Sequence, residues 1–420
     1  MTMNSKVIVS PLHAYVDEQT TIQISGCNPK DKVRIESSML DQKGNVFKGC
    51  STFQANEQGE VDLSKADTQA DVAELFWAAE KENTRHGDYF FKSDASEVEI
   101  ELQIKINDQF KETVQLKRYF YKEDIVREGI HEQGIVGTLF YSASELAQPA
   151  VLLIGGSDGE IQEHAAALLA SKGYTVFTLA YFGQQEGVPK DLEKIPLEYF
   201  YDAVQWLKAR ANQEKISLIG YSRGAELALL LASTYDEFTS VVAGAPGAYI
   251  TSGLKNGIYA PIPSWTLNQE ELPFLKFKYR FAQMFAMVGG MVKKKPVSFL
   301  SIWENSLQSP EKIEDCRIRV ENIKASVLLI AGGQDQIWPA SQFATQVEEK
   351  MNDQNVHVLH YKEAGHFLGF PYALPGMPAN VNEHVGGRLI MNCGGSKSAN
   401  AAATNSSWNE LLNYLRDYAK

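Results

Sequence analysis

Ile216-Ser217-Leu218-Ile219-Gly220-Tyr221-Ser222-Arg223-Gly224-Ala225-Glu226-Leu227-Ala228-Leu229-Leu230-Leu231-Ala232 is the stretch from which the fold is read. Its first four residues form an apolar run of strand length, and the run after Gly224 is rich in helix formers. Strand, G-x-S-x-G, helix is the context that a nucleophile elbow requires. The turn is so sharp that the neighbours of the serine must lack bulky side chains, and Gly220 and Gly224 supply that room. Ser222 is then expected to stand at the carboxyl end of a sheet. The N-terminus of the next helix points at it, with free N–H groups and a partial positive charge that favour a developing oxyanion. The bland alternative is a tight strand-to-helix turn in which the serine is incidental.

A serine hydroxyl is a weak nucleophile and needs a base, and the base needs a carboxylate behind it. In this fold the chain order is serine, acid, histidine. The downstream histidines are His357, His360, His366 and His384. His357 and His360 fall within an apolar segment that reads as a strand, which makes them structural. His384 lies in a glycine-rich tail segment. His366 follows the strand in Ala364-Gly365-His366-Phe367, where Gly365 lets a loop carry the imidazole back toward the elbow. For the acid, Asp335 follows the apolar run Val327 to Ala331 through Gly332-Gly333-Gln334. A carboxylate just beyond a strand's carboxyl end suits this role. Its alternative reading is a turn or capping aspartate ahead of Trp338-Pro339. Asp315 and Asp353 sit on no strand exit. The oxyanion hole is expected to combine the backbone N–H of Arg223 with one from Gly155-Gly156-Ser157-Asp158-Gly159, Gly156 or Ser157 being the candidates. That loop lacks the spacing of a phosphate cradle, which excludes a nucleotide site.

Outward from this core the chain divides in two. Roughly residues 1–125 alternate polar and apolar in short segments: Lys6 to Ser10, Thr20 to Ile24, Lys32 to Glu36 and Val98 to Ile104. Turn residues such as Asn28-Pro29-Lys30-Asp31 separate them. Period-two alternation with frequent turns predicts an immunoglobulin-like sandwich of antiparallel sheets, read as a packing or scaffolding module. Strand-like segments Val114 to Tyr121 and Gly134 to Tyr141 follow. From Ala150 onward buried strands alternate with helices. Strands are expected at Ala150 to Ile154, Thr175 to Leu179, Val241 to Ala243 and Val356 to His360. Helices are expected near Ile161 to Ser171, at Leu197 to Arg210 with Tyr201, Val204 and Leu207 on one stripe, and at Trp408 to Tyr418. The predicted fold class is an α/β-hydrolase domain over residues 126–420, a mostly parallel sheet with helices on both faces. Residues 249–315 interrupt the rhythm with Phe274, Phe277, Tyr279, Phe281, Met284, Phe285, Met287 and Met291, then Lys293-Lys294-Lys295. A lid-like insertion is expected there. The lysine run reads as a solvated face, with steering of a phosphorylated ligand as the alternative.

Composition bounds the rest. The chain has 420 residues, 44% of them hydrophobic, and a net charge of −12. That acidity argues against nucleic acid and anionic membranes as main partners. Cys27, Cys50, Cys316 and Cys393 lie far apart with no C-x-x-C pair, so no zinc or redox site follows, and a reduced, cytoplasmic setting fits. The first ten residues do not form a secretory signal, and no run reaches the ~20 apolar residues that span a bilayer. Neither a cofactor nor a metal is expected.

At the level of motifs the chain resembles the type I acyl-CoA thioesterases and the bile acid-CoA:amino acid N-acyltransferases. The resemblance is carried by Met39-Leu40-Asp41-Gln42-Lys43-Gly44, Arg118-Tyr119-Phe120 and Val136-Gly137-Thr138-Leu139-Phe140 in the first half. In the second half it is carried by Leu179-Ala180-Tyr181-Phe182, Gly220-Tyr221-Ser222-Arg223-Gly224-Ala225-Glu226-Leu227, Gly333-Gln334-Asp335, Gly365-His366-Phe367 and Pro371-Tyr372. It implies a β-sandwich before an α/β-hydrolase domain and a triad on Ser222, Asp335 and His366. It further implies an acyl-CoA or related small acyl substrate and a place in fatty acid metabolism. Amino-acid-conjugating members of that family are expected to carry cysteine where this chain has Ser222. The chain departs from its better-known members at Gly155 and Asp158, and at Arg223, where lysine is common.

Overall fold

The computed structural model describes residues 5–63, 72–82, 89–144, 148–308, 313–351, 355–386 and 388–419. The strands before residue 120 build two sheets. One has three strands, Lys6–Ser10, Thr21–Ser25 and Val61–Asp62. The other has six, in the order His13–Tyr15, Gln109–Tyr119, Val98–Ile106, Lys32–Leu40, Val46–Gln54 and Glu80–Lys81. Alternation sets the buried face: along Lys32–Leu40 the residues Val33, Ile35, Ser37 and Met39 are buried and their neighbours are not. Ile22 and Ile24 of the smaller sheet share one core with Val33, Ile35, Ile100 and Leu102 of the larger, which makes a sandwich.

The second half is organised on eight strands, labelled here in chain order: β1 (Ile125–Glu132), β2 (Ile135–Ser142), β3 (Ala150–Ile154), β4 (Thr175–Ala180), β5 (Ile216–Tyr221), β6 (Phe238–Gly244), β7 (Ser326–Gly332) and β8 (Val356–Tyr361). Their order in the sheet is β1-β2-β4-β3-β5-β6-β7-β8. From β4 to β8 every pairing is parallel, whereas β2 runs antiparallel to both β1 and β4. Both faces of the central strands are covered, so they read as continuous apolar runs. Along β3, Leu152 and Ile154 face one core and Val151 and Leu153 the other. The helices α1 (Glu163–Ala170) and α6 (Lys397–Tyr418) cover the second of these faces together with the sandwich. The helices α2 (Leu197–Ala211), α3 (Arg223–Thr234) and α5 (Ala340–Met351) cover the first, and α4 (Phe281–Lys293) lies in the stretch between β6 and β7.

Three details differ from the sequence reading. Helix α6 begins at Lys397 rather than Trp408, because Ser396 caps it by accepting from the Ala399 N–H and Ala401, Ala402 and Ala403 propagate it. The stripe of α2 that meets the core contains Phe200 in place of Tyr201, which instead packs against Tyr235 at a ring separation of 5.0 Å. His384, read as part of a glycine-rich tail segment, lies on a two-stranded hairpin, Asn382–Gly386 with Leu389–Asn392.

The seam between the sandwich and the sheet domain holds a buried histidine. His164 on α1 is 4% exposed and meets Phe120 edge-on at 5.4 Å. Burial, helped by the nearby Lys92 charge, takes its imidazole down to about 3. The folded protein therefore holds His164 neutral, while the unfolded chain binds a proton near pH 6.5. The stability this contributes is complete above that value and is lost as the pH falls toward about 3. Urea titrations near pH 7 and about pH 5 are expected to show wild type losing ~2 kcal/mol more than His164→Gln, at ~1.4 kcal/mol per pH unit. Equal losses would mean that the imidazole is hydrated in the folded state.

Candidate active site

β5 ends at Tyr221 and α3 starts at Arg223, so a single residue makes the turn. Ser222 takes φ 56° and ψ −120°, a conformation that costs a side-chain-bearing residue on the order of 1–3 kcal/mol. The fold holds it there from both sides. Its N–H donates to the Gly244 carbonyl at 2.8 Å, and its own carbonyl accepts from Ala225 and Glu226 at 2.9 and 3.1 Å. A Cβ on Gly220 would strike the Gly224 carbonyl, and one on Gly224 would meet the carbonyls of Gly155 and Ile154. The two glycines flanking the serine are thus required by close backbone approach. Ser222 itself is only partly buried.

The imidazole of His366 places Nε2 3.0 Å from Ser222 Oγ, and its Nδ1–H donates to Asp335 Oδ2 at 2.7 Å. The three residues chosen from sequence therefore stand in one hydrogen-bonded series. Asp335 lies three residues past β7, and His366 lies five past β8. Asp335 also fits its alternative reading. Its Oδ1 accepts from the N–H of Ile337 at 2.8 Å and of Trp338 at 3.2 Å, which fixes the carboxylate for the histidine. Asp335 is 4% and His366 3% exposed, so water competes little for this bond. The loop bearing His366 is pinned by its N–H to the Cys393 carbonyl at 2.7 Å. The Tyr221 hydroxyl pins it again, donating to the His366 carbonyl and accepting from Leu368 N–H.

The loop after β3 carries the other expected donors. As the first residue of α3, Arg223 has an N–H with no intrahelical partner. The N–H of Gly156, by contrast, donates to the Tyr372 hydroxyl at 2.6 Å, and that hydroxyl donates to Asp158 Oδ1 at 2.7 Å. Burial and the charge of Asp158 raise the Tyr372 phenol well above its usual range, so it keeps its proton. The Asp158 side chain is exposed, yet the protein packed around it costs the carboxyl enough hydration to push it up to about 6. Glu383, half-buried on the hairpin, is pushed up to about 7 by the same loss of hydration and by the Asp158 charge. Tyr372 was visible in the sequence as part of the Pro371-Tyr372 stretch that carries the resemblance, with no role attached to it. Glu383 carried no signal at all.

Beneath the elbow lies a buried ion pair. Arg223 and Glu226 are both fully buried, with Nη1 to Oε2 at 3.0 Å. Glu226 also accepts from Thr251 N–H at 3.1 Å, Thr251 Oγ1–H at 2.6 Å and Trp265 Nε1–H at 3.2 Å. Arg223 donates onward to Thr251 Oγ1 and to the Ser252 carbonyl. The first turn of α3 is thereby fastened to the start of the stretch between β6 and β7.

The residues set aside in the sequence are elsewhere. The exposed His357 bonds the Tyr418 hydroxyl and the exposed His360 bonds Ser341, each at 3.0 Å. His384 and Asp315 are exposed. Asp353 lies outside the described residues. Phe274 and Phe277 pack against the core, whereas Tyr279, Phe281, Met284 and Phe285 are exposed. A cavity of about 340 Å³ opens beside α1, lined by Arg127, His131, Glu160 and Glu163, and includes no member of the series. Among the described residues no group of three His, Cys, Asp or Glu side chains is arranged for a metal ion, and no helix is long and apolar enough to cross a membrane.

The sheet order, the strained serine between β5 and α3, and the histidine and carboxylate past β8 and β7 define an α/β hydrolase. Residues 195–420 match the family profile described as BAAT / acyl-CoA thioester hydrolase C terminal, and residues 17–132 match the acyl-CoA thioester hydrolase/BAAT N-terminal region. The chain belongs to this family. It is similar to human acyl-coenzyme A thioesterase 1, with 25% identity over 419 residues, 96% of this chain and 94% of that one. It is equally similar to mouse acyl-coenzyme A amino acid N-acyltransferase 1, with 26% identity over 437 residues, 99% and 98% of the two chains. Among solved structures it is similar to the Pyrococcus furiosus esterase Pf2001, at 15% identity and a TM-score of 0.40 over 71% of this chain and 94% of that one.

Proposed function

We propose that this protein is a serine-dependent acyl-CoA thioesterase that releases free acid and CoA through an acyl-serine intermediate. The observation that carries the reading is the Ser222–His366–Asp335 series, at 3.0 and 2.7 Å, in a member of a thioesterase and acyltransferase family. His366 Nε2 takes the Ser222 proton as Oγ attacks the thioester carbonyl. Asp335 stabilises the imidazolium that forms. The N–H of Arg223 faces the developing oxyanion, with a second donor from Gly156 or Ser157. Tyr372 holds Gly156 in place, which favours Ser157 as that donor. The tetrahedral intermediate collapses, the C–S bond breaks, and His366 returns its proton to the leaving thiolate. Water, deprotonated by the same imidazole, then attacks the acyl-serine, the ester C–O bond breaks to free the acid, and His366 returns the proton to Ser222 Oγ. None of these steps calls for a cofactor.

The nucleophile bears on hydrolysis against transfer. An acyl-serine is an oxygen ester, less reactive toward amines than the thioester a cysteine forms. Serine therefore favours water as acceptor. The N-acyltransferase relatives make amide formation the second reading. Incubation with an acyl-CoA and excess glycine or taurine, read by mass spectrometry, is expected to give free acid and CoA. Ser222→Cys is expected to raise the ratio of amide to acid. Amide as the main wild-type product overturns the thioesterase assignment, and simple esters cleaved faster than acyl-CoA would make the protein a carboxylesterase. We assign residues 1–125 to the sandwich domain, 126–420 to the catalytic domain, and about 249–315 to a lid-like insertion in it. The cysteines are present as thiols, which supports a cytoplasmic setting.

A further inference from the structure

Helix α4 turns its apolar side to water. Phe281 is 81% exposed, Phe285 75%, Val292 66%, Val288 56% and Met284 51%. At about 100° per residue these five fall within a stripe roughly 100° wide. The opposite side, with Gln283, Met287, Gly290 and Met291, is turned inward. Gly290 is the point of closest approach, since a Cβ there would strike the Val297 side chain. A stripe of two phenylalanines and three aliphatic residues has no partner among the described residues, and such patches mark interaction sites.

The charge around the stripe says what covers it. Between Glu271 and Glu304 the sequence holds six cationic residues and no Asp or Glu, in a chain whose net charge is −12. Three of the six, Lys293, Lys294 and Lys295, close the helix, are exposed, and make no ion pair with a described residue. Charges are screened beyond about 8 Å at physiological salt, so this local patch and not the net charge governs contact. A second copy would bring the same cations face to face, which disfavours self-association. An exposed aromatic stripe beside a lysine cluster is instead the chemistry of an interfacial helix on an anionic bilayer.

We propose that α4 docks this protein on anionic lipid membranes, with Phe281, Phe285 and their aliphatic neighbours entering the headgroup boundary and Lys293–Lys295 meeting lipid phosphates. The site is one short connection away. Val297 bonds Ile390 and Asn392 of the hairpin, each at 2.9 Å, and the next residue, Cys393, holds the His366 loop. Docking brings that loop to the bilayer surface, where amphiphilic acyl compounds collect. The inference rests on the helix alone and stands apart from the thioesterase reading.

The test is co-sedimentation of the full chain with vesicles of phosphatidylcholine alone and of phosphatidylcholine mixed with phosphatidylglycerol. Wild type is expected to pellet with the mixed vesicles and to be released by high salt. Phe281→Ser/Phe285→Ser and Lys293→Gln/Lys294→Gln/Lys295→Gln are each expected to weaken this binding about tenfold or more. Both should keep the wild-type melting temperature and turnover of a water-soluble short-chain ester. Equal binding to neutral and anionic vesicles, or a lysine variant that binds as wild type does, overturns the proposal. So does a wild-type dimer that Phe281→Ser/Phe285→Ser converts to monomer without any vesicle binding, because the stripe would then be a self-association face.

Discussion

Ser222→Ala is expected to lower acyl-CoA hydrolysis by about 10,000-fold or more while leaving the fold intact. Two losses combine in this variant. The acyl group has no oxygen to bond to, and His366 loses the hydroxyl 3.0 Å from Nε2. Alanine removes one oxygen at a partly buried position and keeps the Cβ that strains the turn, so the melting temperature should stay near that of wild type. Asp335→Asn is expected to cost a similar factor by a different route. The amide nitrogen cannot accept from Nδ1–H, and the imidazole settles in the tautomer that cannot take the serine proton. CoA release followed with a thiol reagent measures both. Substantial turnover in Ser222→Ala would remove the serine from the mechanism.

The largest expected effect on stability belongs to Glu226. Its carboxylate is fully buried and satisfies Arg223, Thr251 and Trp265 together. Glu226→Leu leaves the Arg223 guanidinium charged and without its partner in the same apolar surroundings. Loss of one member of such a pair costs ~3–5 kcal/mol, which urea unfolding resolves easily. Arg223→Met/Glu226→Leu is expected to recover only the share due to the stranded charge, because Thr251 N–H and Trp265 Nε1–H still lose their acceptor. No recovery at all in the double replacement would mean that the acceptors lost by Thr251 and Trp265, and not the stranded charge, carry the cost. Since Arg223 also opens the helix that faces Ser222, Glu226→Leu should lower turnover beyond what its unfolded fraction explains.

The three residues of the hydrogen-bonded Ser222–His366–Asp335 series were legible because each follows an apolar run of strand length. Ser222 leaves β5, Asp335 leaves β7 and His366 leaves β8, and their chain order is the one this fold imposes. The sandwich was legible from alternation, as along Lys32–Leu40. Other features had no periodic trace. Strand β1 presents Arg127, Glu128, His131 and Glu132 at the open edge of the sheet, so its polar pattern resembles a loop. The first turns of α6 hide behind Gly394-Gly395 and several Ser and Asn residues, whose helical fate depends on the Ser396 cap. Gly156 and Tyr372 are 216 positions apart, and Glu226 and Trp265 are 39 apart. Such pairings are products of tertiary packing, which no local pattern announces.

The seam between the two halves has a practical consequence. Asp17, from the sandwich, accepts from Trp408 Nε1–H of α6 at 3.0 Å and pairs with Lys172 at 2.7 Å. Phe90 N–H reaches the Asn380 side chain at 2.9 Å, and Phe120 covers His164. Leu168, Leu411 and Leu415 belong to the same oily interior as Ile35 and Leu116. Amputating the front third would strip the roof from α1 and α6 and leave their greasy undersides bare. The hydrolytic half was built as a lean-to against its neighbour, and expressed alone it should clump rather than stand as a smaller working enzyme.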